Sequence, residues 1–165
     1  MKIYLIAALK NKIVPEVANK IEKETGHEVF DSWFSPGPDA DDYWRDYETN
    51  RNRNYKEALK GYAAQHIFSF DKKHLDTSDA AVMIYPAGKS CHLEAGYMIG
   101  RGKPVYLILD GEPERFDVMT NFLTEVFYSV DEFISFLKIK DSGGLSREEF
   151  DRVFAPLLNS YRYKL

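Results

Sequence analysis

Short apolar runs alternating with amphipathic stretches predict an α/β fold. The expected form is a single-domain, doubly wound (flavodoxin-like or Rossmann-like) parallel sheet of about five strands with helices on both faces. Three observations carry this. The runs at 2–9, 80–85 and 105–109 are apolar without alternation, as strands covered on both faces must be. The chain opens strand–helix–strand, and a right-handed crossover of that unit feeds a parallel sheet. Its 165 residues, 44% hydrophobic and 29% charged, suit one core that needs no disulfide or metal.

The elements follow in order. The first strand is expected over 2–9. A helix over 14–24 has Val14, Val17, Ala18 and Ile21 on one face, with Pro15 suited to its first turn and Thr25-Gly26 to its end. A second strand is expected over 27–31. Ser35-Pro36-Gly37-Pro38 breaks the chain, and Asp39, Asp41 and Asp42 offer helix caps. A polar insertion over about 36–55 carries Asp39, Asp41, Asp42, Asp46 and Glu48 beside Arg45, Arg51 and Arg53. It reads as a solvated surface, or as a lid or oligomer contact supplying an arginine to a phosphate. A helix over 55–68 would place Leu59, Tyr62, Ala63, His66 and Ile67 on one stripe. Then come the strand at 80–85, a helix capped by Ser90 and running to 99, and the strand at 105–109. A weak strand is expected over 126–128 and a helix over 131–137. Phe150, Val153, Phe154, Leu157 and Leu158 give the tail at 146–161 an amphipathic pattern, read as part of a C-terminal helical extension over about 141–165.

Composition narrows the partners. Twenty-two Lys and Arg against 26 Asp and Glu leave a formal charge of −4, which argues against a nucleic-acid polymer but not against a nucleotide-sized ligand. The apolar opening is too short for a membrane span and runs into Lys10 and Lys12, so no membrane partner is expected and the expected location is the cytoplasm. The single cysteine, Cys91, excludes a disulfide within the chain and a cysteine-based zinc site. With 11 Tyr and 11 Phe, the chain has aromatic surface to spare for an oligomer contact.

In a doubly wound sheet, ligands bind outside the carboxyl ends of the strands. The segment Pro86-Ala-Gly-Lys-Ser-Cys-His-Leu-Glu-Ala-Gly-Tyr97 lies at such an end. Gly88-Lys89-Ser90 resembles the close of a P-loop, but Met83 stands where that motif needs glycine. His92-Leu93-Glu94 lacks the paired cysteines of a zinc deaminase, and His27, His66 and His74 have no ligand spacing. No metal and no cofactor is expected. Residue chemistry leaves Glu94 open between an acid favoured by a helix dipole and a catalytic carboxylate. Gly96 and Gly100, with Ala95, suggest a small-residue surface on which this helix presses closely against the sheet.

The blocks Asp71-x-x-x-Leu75-x-x-x-Asp79-Ala-Ala-Val-Met, Gly88-Lys-Ser-x-His-Leu-Glu-Ala-Gly-Tyr97 and Gly102-Lys-Pro-Val105 resemble the nucleoside 2-deoxyribosyltransferase family. The likeness runs from Lys2 to about Phe136. That superfamily also contains hydrolases of 5′-monophosphates. The resemblance implies double displacement at the anomeric carbon, with Glu94 as nucleophile, Asp71 handling the base and its proton, and Tyr4 orienting the nucleophile. A nucleoside or nucleotide substrate is expected, with Gly88, Lys89, Ser90, His92 and Ala7 as its binding residues, and the aromatic content adds the expectation of a homo-oligomer. Two features depart from the transferase pattern. Ala87-Gly88-Lys89 replaces an acidic loop residue that holds sugar hydroxyls, and Lys89 with Ser90 suits an anion better. The insertion at 36–55 is also longer than the family needs. The alternatives are a 2′-deoxynucleoside 5′-monophosphate N-glycosidase and, from another class, a non-catalytic nucleotide-binding module.

Overall fold

The computed structural model describes residues 1–143, so the expected amphipathic tail at 146–161, and the extension beyond 143, lie outside the described residues. Five strands form one parallel sheet in the order β2-β1-β3-β4-β5: β1 (Lys2–Ile6), β2 (Glu28–Phe30), β3 (Ala80–Ile84), β4 (Val105–Ile108) and β5 (Glu125–Phe127). The chain winds outward one way from β1 to β2 and the other way from β3 to β5, so the strand order switches between β1 and β3, where a sheet of this kind binds ligands.

Side-chain alternation sorts the core into two layers. Ile3, Leu5, Val82, Ile84, Tyr106 and Ile108 pack under α1 (Val14–Thr25) and α6 (Val130–Asp141). Tyr4, Ile6, Ala81, Met83, Val105 and Leu107 face the other way, toward α4 (Tyr62–Thr77) and α5 (Lys89–Gly100). The first helix is as expected: Val14, Val17, Ala18 and Ile21 are its buried face, and Gly26 closes it in the left-handed conformation at φ +71°. β2 pairs with β1 only as far as Tyr4 opposite Phe30. One residue on, the Trp33 indole donates to the Leu5 carbonyl at 2.7 Å and takes over from the missing strand partner.

Two local expectations are corrected, and a third is refined. The stretch at 55–68 is two helices, α3 (Tyr55–Ala58) and α4, because Gly61 is extended and starts a second helix after the Asn54–Glu57 capping box has started the first. Of the supposed stripe, Leu59, Tyr62, His66 and Ile67 are exposed and Ala63 is half-buried. Helix α5 opens on Gly88 rather than on Ser90. The polar insertion folds into α2 (Ala40–Thr49) and the start of α3. Most of it is exposed, but Glu48 is only 2% exposed and pairs with Arg53.

Candidate active site

Three elements converge on Glu94. β1 turns Tyr4 out of the sheet toward α4 and α5, where the side chain is 1% exposed. α5 presents Glu94 in its second turn, and the Tyr4 hydroxyl donates to Glu94 Oε1 at 3.5 Å, a long hydrogen bond. α4 supplies Asp71, partly buried, whose Oδ1 has no hydrogen-bond partner among the described residues. Cys91, one turn before Glu94, fills the space beneath as a buried thiol. Behind them Phe30 stacks on His74 of α4 at 3.8 Å and lies 5.2 Å from the Tyr4 ring, so the aromatic cluster holds the tyrosine against the acid-bearing helix.

Electrostatics follow from this burial. Desolvation raises Glu94 from the usual carboxylate range to about 7, the neighbouring Asp71 adds to the rise, and the Tyr4 hydroxyl works against it. Asp71 is raised to about 6 by desolvation. Burial first, and then the nearby Glu94 and Asp71, push the Tyr4 phenol far up, so it stays a neutral donor. Two carboxyl groups in one shielded site thus share protons near neutral pH, a setting suited to one acid and one nucleophile.

The remaining expected residues divide. Gly88 is the extended N-cap of α5, no side chain caps that helix end, and Lys89 and Ser90 stand exposed on it. His92 is exposed, its Nδ1 2.7 Å from the Gly88 carbonyl and its Nε2 3.4 Å from the Tyr85 hydroxyl. Ala7 lies beyond β1 but its side chain packs with the α1 and α6 layer, away from Glu94. A cleft of about 230 Å³ opens beyond β3 and β4, lined by Tyr85, Pro86, Leu109, Asp110, Gly111, Glu112 and Pro113. Neither Glu94 nor Asp71 lines it. Its walls are the loops after Tyr85 and after Leu109, strand ends of the kind where a ligand is expected, although no motif marks Asp110 to Pro113. Among the described residues no group of three or more His, Cys, Asp or Glu is placed to hold a metal ion.

The small-residue surface is also corrected. Gly96 and Gly100 are exposed, and a Cβ on either would meet nothing within 4 Å. Close approach of α5 to the sheet is instead made by Ala95 and Ala81, 3% and 0% exposed, in the layer that holds Tyr4.

No family model matches the sequence, and no curated protein matches it. Solved structures do share its α/β fold. A 2-deoxyribosyltransferase from Bacillus psychrosaccharolyticus superposes with a TM-score of 0.55 at 20% identity, covering 81% of this chain and 90% of that one. The CMP N-glycosidase of Clostridium botulinum gives 0.51 at 16% identity, covering 84% of this chain and 99% of its own. The chain is therefore an α/β protein with the deoxyribosyltransferase-like arrangement of sheet and helices.

Proposed function

We propose that the protein cleaves the N-glycosidic bond of 2′-deoxynucleosides by double displacement through Glu94, exchanging or releasing the nucleobase. The observation that supports this best is the placement of two carboxyl groups raised toward neutrality, with a tyrosine hydroxyl on one of them. The likeness in fold to a deoxyribosyltransferase and an N-glycosidase agrees with it.

In the first step a carboxylate oxygen of Glu94 attacks C1′ and the bond from C1′ to the base nitrogen breaks. Its electron pair leaves with the base, which takes a proton from Asp71. Tyr4 donates to Glu94 and holds the attacking carboxylate in position. In the second step a base nitrogen or a water attacks C1′, the glycosyl ester breaks, Glu94 regains its negative charge, and the proton of the acceptor passes to Asp71. The pair must enter the cycle with one proton, carried by Asp71. Because Glu94 is raised further than Asp71, this is the less populated of the two singly protonated forms, and the proton passes from Glu94 to Asp71 before the attack. No metal or cofactor takes part in this scheme. Exposed Tyr62, Ile67 and Phe68 on α4 and Leu93 on α5 supply apolar surface for the homo-oligomer that belongs to this reading.

The test is incubation with each deoxynucleoside and its 5′-monophosphate, with and without a second free base, followed by chromatography of the bases. Released or exchanged base supports the reading. Substrate binding with no release from any of them would leave a non-catalytic nucleotide-binding module.

One observation favours a 5′-monophosphate as substrate, the alternative in which water would be the acceptor. The uncapped start of α5, with exposed Lys89 and Ser90, has the character of an anion site. Under that reading Lys89→Ala raises KM for the monophosphate by about 10- to 100-fold and leaves the nucleoside unchanged. Equal KM values for the two substrates in both proteins would remove it.

A further inference from the structure

The position of Asp71 relative to Glu94 is not set by any direct bond between them. Oδ1 of Asp71 has no hydrogen-bond partner among the described residues, and Glu94 is held from β1 rather than from α4. On the core side, α4 contributes Leu75 and α5 contributes Cys91, Ala95 and Met98 to one buried apolar cluster. Small apolar surfaces of this kind lack direction and leave the sliding of one helix on the other weakly defined.

A directional contact lies about one helical turn away. The Tyr97 hydroxyl of α5 donates to Asp76 Oδ1 of α4 at 2.5 Å, across 21 residues of sequence. Asp76 Oδ2 accepts from Lys72 at 2.6 Å, and Arg101 lies 3.7 Å from Oδ1. These cations, with the tyrosine hydroxyl, keep Asp76 below the ordinary carboxylate range, so it is a charged acceptor throughout the neutral region. Lys72 and Arg101 are also 5.2 and 5.8 Å from the centre of the Tyr97 ring. Just beyond, Lys103 reaches back from the turn after α5 and donates to the carbonyls of Leu75, Asp76 and Ser78 at 3.1, 2.6 and 2.6 Å. The last turn of α4 is therefore tied to α5 and its exit turn. Asp71 stands five residues before Asp76, and Glu94 three before Tyr97, so a shift at the clamp is carried to both carboxyl groups by rigid helix.

We propose that the Tyr97–Asp76 hydrogen bond is a positioning clamp that fixes the separation of Asp71 and Glu94. Tyr97 touches no reacting atom and acts through the two helices. The exposed ion pairs around it contribute little by themselves, and the hydroxyl is the part that sets geometry. The inference rests on the reading of Glu94 as nucleophile and Asp71 as acid.

The test compares Tyr97→Phe, Asp76→Ala and Asp76→Asn with the wild type. Asparagine keeps an oxygen that accepts from the tyrosine and drops the ion pairs, so it separates positioning from charge. Two quantities are read: kcat and KM for base release, and the titration midpoint of Glu94 from the carboxyl resonances of ¹³C-labelled glutamate, assigned with Glu94→Gln. In Tyr97→Phe and Asp76→Ala, kcat falls roughly 10- to 100-fold with KM unchanged. The Glu94 midpoint also drops from about 7, because Asp71 no longer presses on it. Asp76→Asn retains most of the wild-type kcat and the wild-type midpoint. Tyr97→Phe with unaltered kcat and midpoint, even at a lower Tm, would reduce the contact to simple stabilisation and overturn the clamp. If the wild type releases no base, the resonance arm decides alone. A midpoint unmoved in Tyr97→Phe overturns the clamp, and a moved one upholds it while the proposed reaction fails.

Discussion

Glu94 and Asp71 are carboxyl groups that the folded state holds more firmly in the protonated form than the unfolded chain does. The sign of their linkage to stability follows. Below the unfolded carboxylate pKa both states are protonated and the pair costs nothing. As pH rises the unfolded chain ionises first, and the cost of holding Glu94 is complete only above its folded value of about 7. Glu94→Gln removes that cost. It should raise stability by roughly 1–3 kcal/mol at pH 8 and by less at pH 5, read from thermal unfolding at the two pH values. The same variant should abolish base release, because an amide forms no glycosyl ester. A variant that is stabilised and still active would show that the buried carboxylate is not the nucleophile. Asp71 carries a separate expectation. The pair holds one proton between about 6 and 7, so kcat/KM should be bell-shaped with limbs near those values. Asp71→Asn should slow release of natural bases far more than release of an activated leaving group that needs no proton. Equal losses on both would give Asp71 a binding role.

At the scale of the element, α5 joins Glu94 to the sheet, and its two sides have different surroundings. Ala95 and Met98 seat it, while Gly96 faces open space in ordinary helical backbone. Nothing in the structure explains a glycine there, so Gly96→Ala should stabilise the protein by about 0.5–1 kcal/mol, measured by denaturant unfolding. A loss of stability would mean that the added methyl meets a surface. The strands and the first helix were legible in the sequence because burial on both faces, and one apolar helix face, leave periodic signatures. The 55–68 stripe misled for a related reason: periodicity records that a face is apolar and not what covers it. Leu59, Tyr62 and Ile67 are exposed in the single chain. Glu94, Asp71 and Tyr4 were reached through resemblance, since a carboxylate at a helix start has a simpler explanation on residue chemistry alone. The Tyr97–Asp76 contact left no signal, because it joins two helices at positions that no repeat connects.

Across the whole molecule the two faces of the sheet differ in what they bury. One face, under α1 and α6, is an apolar layer built from side chains such as Ile3, Leu5, Val82, Phe127 and Phe133. The other carries Tyr4 in its layer, and there the Tyr4 hydroxyl reaches Glu94 of α5 while α4 supplies Asp71. Two poorly solvated carboxyl groups thus lie on one face while the opposite face is an apolar layer. The central claim is that Glu94 becomes covalently attached to the sugar. The most direct test is acid quenching during turnover of a slowly processed deoxynucleoside analogue, followed by mass spectrometry of the peptides. The account predicts a deoxyribosyl mass on the peptide containing Glu94, lost on adding a free base and absent in Glu94→Gln. Base release with no adduct on that peptide, or an adduct that persists in Glu94→Gln, would contradict it.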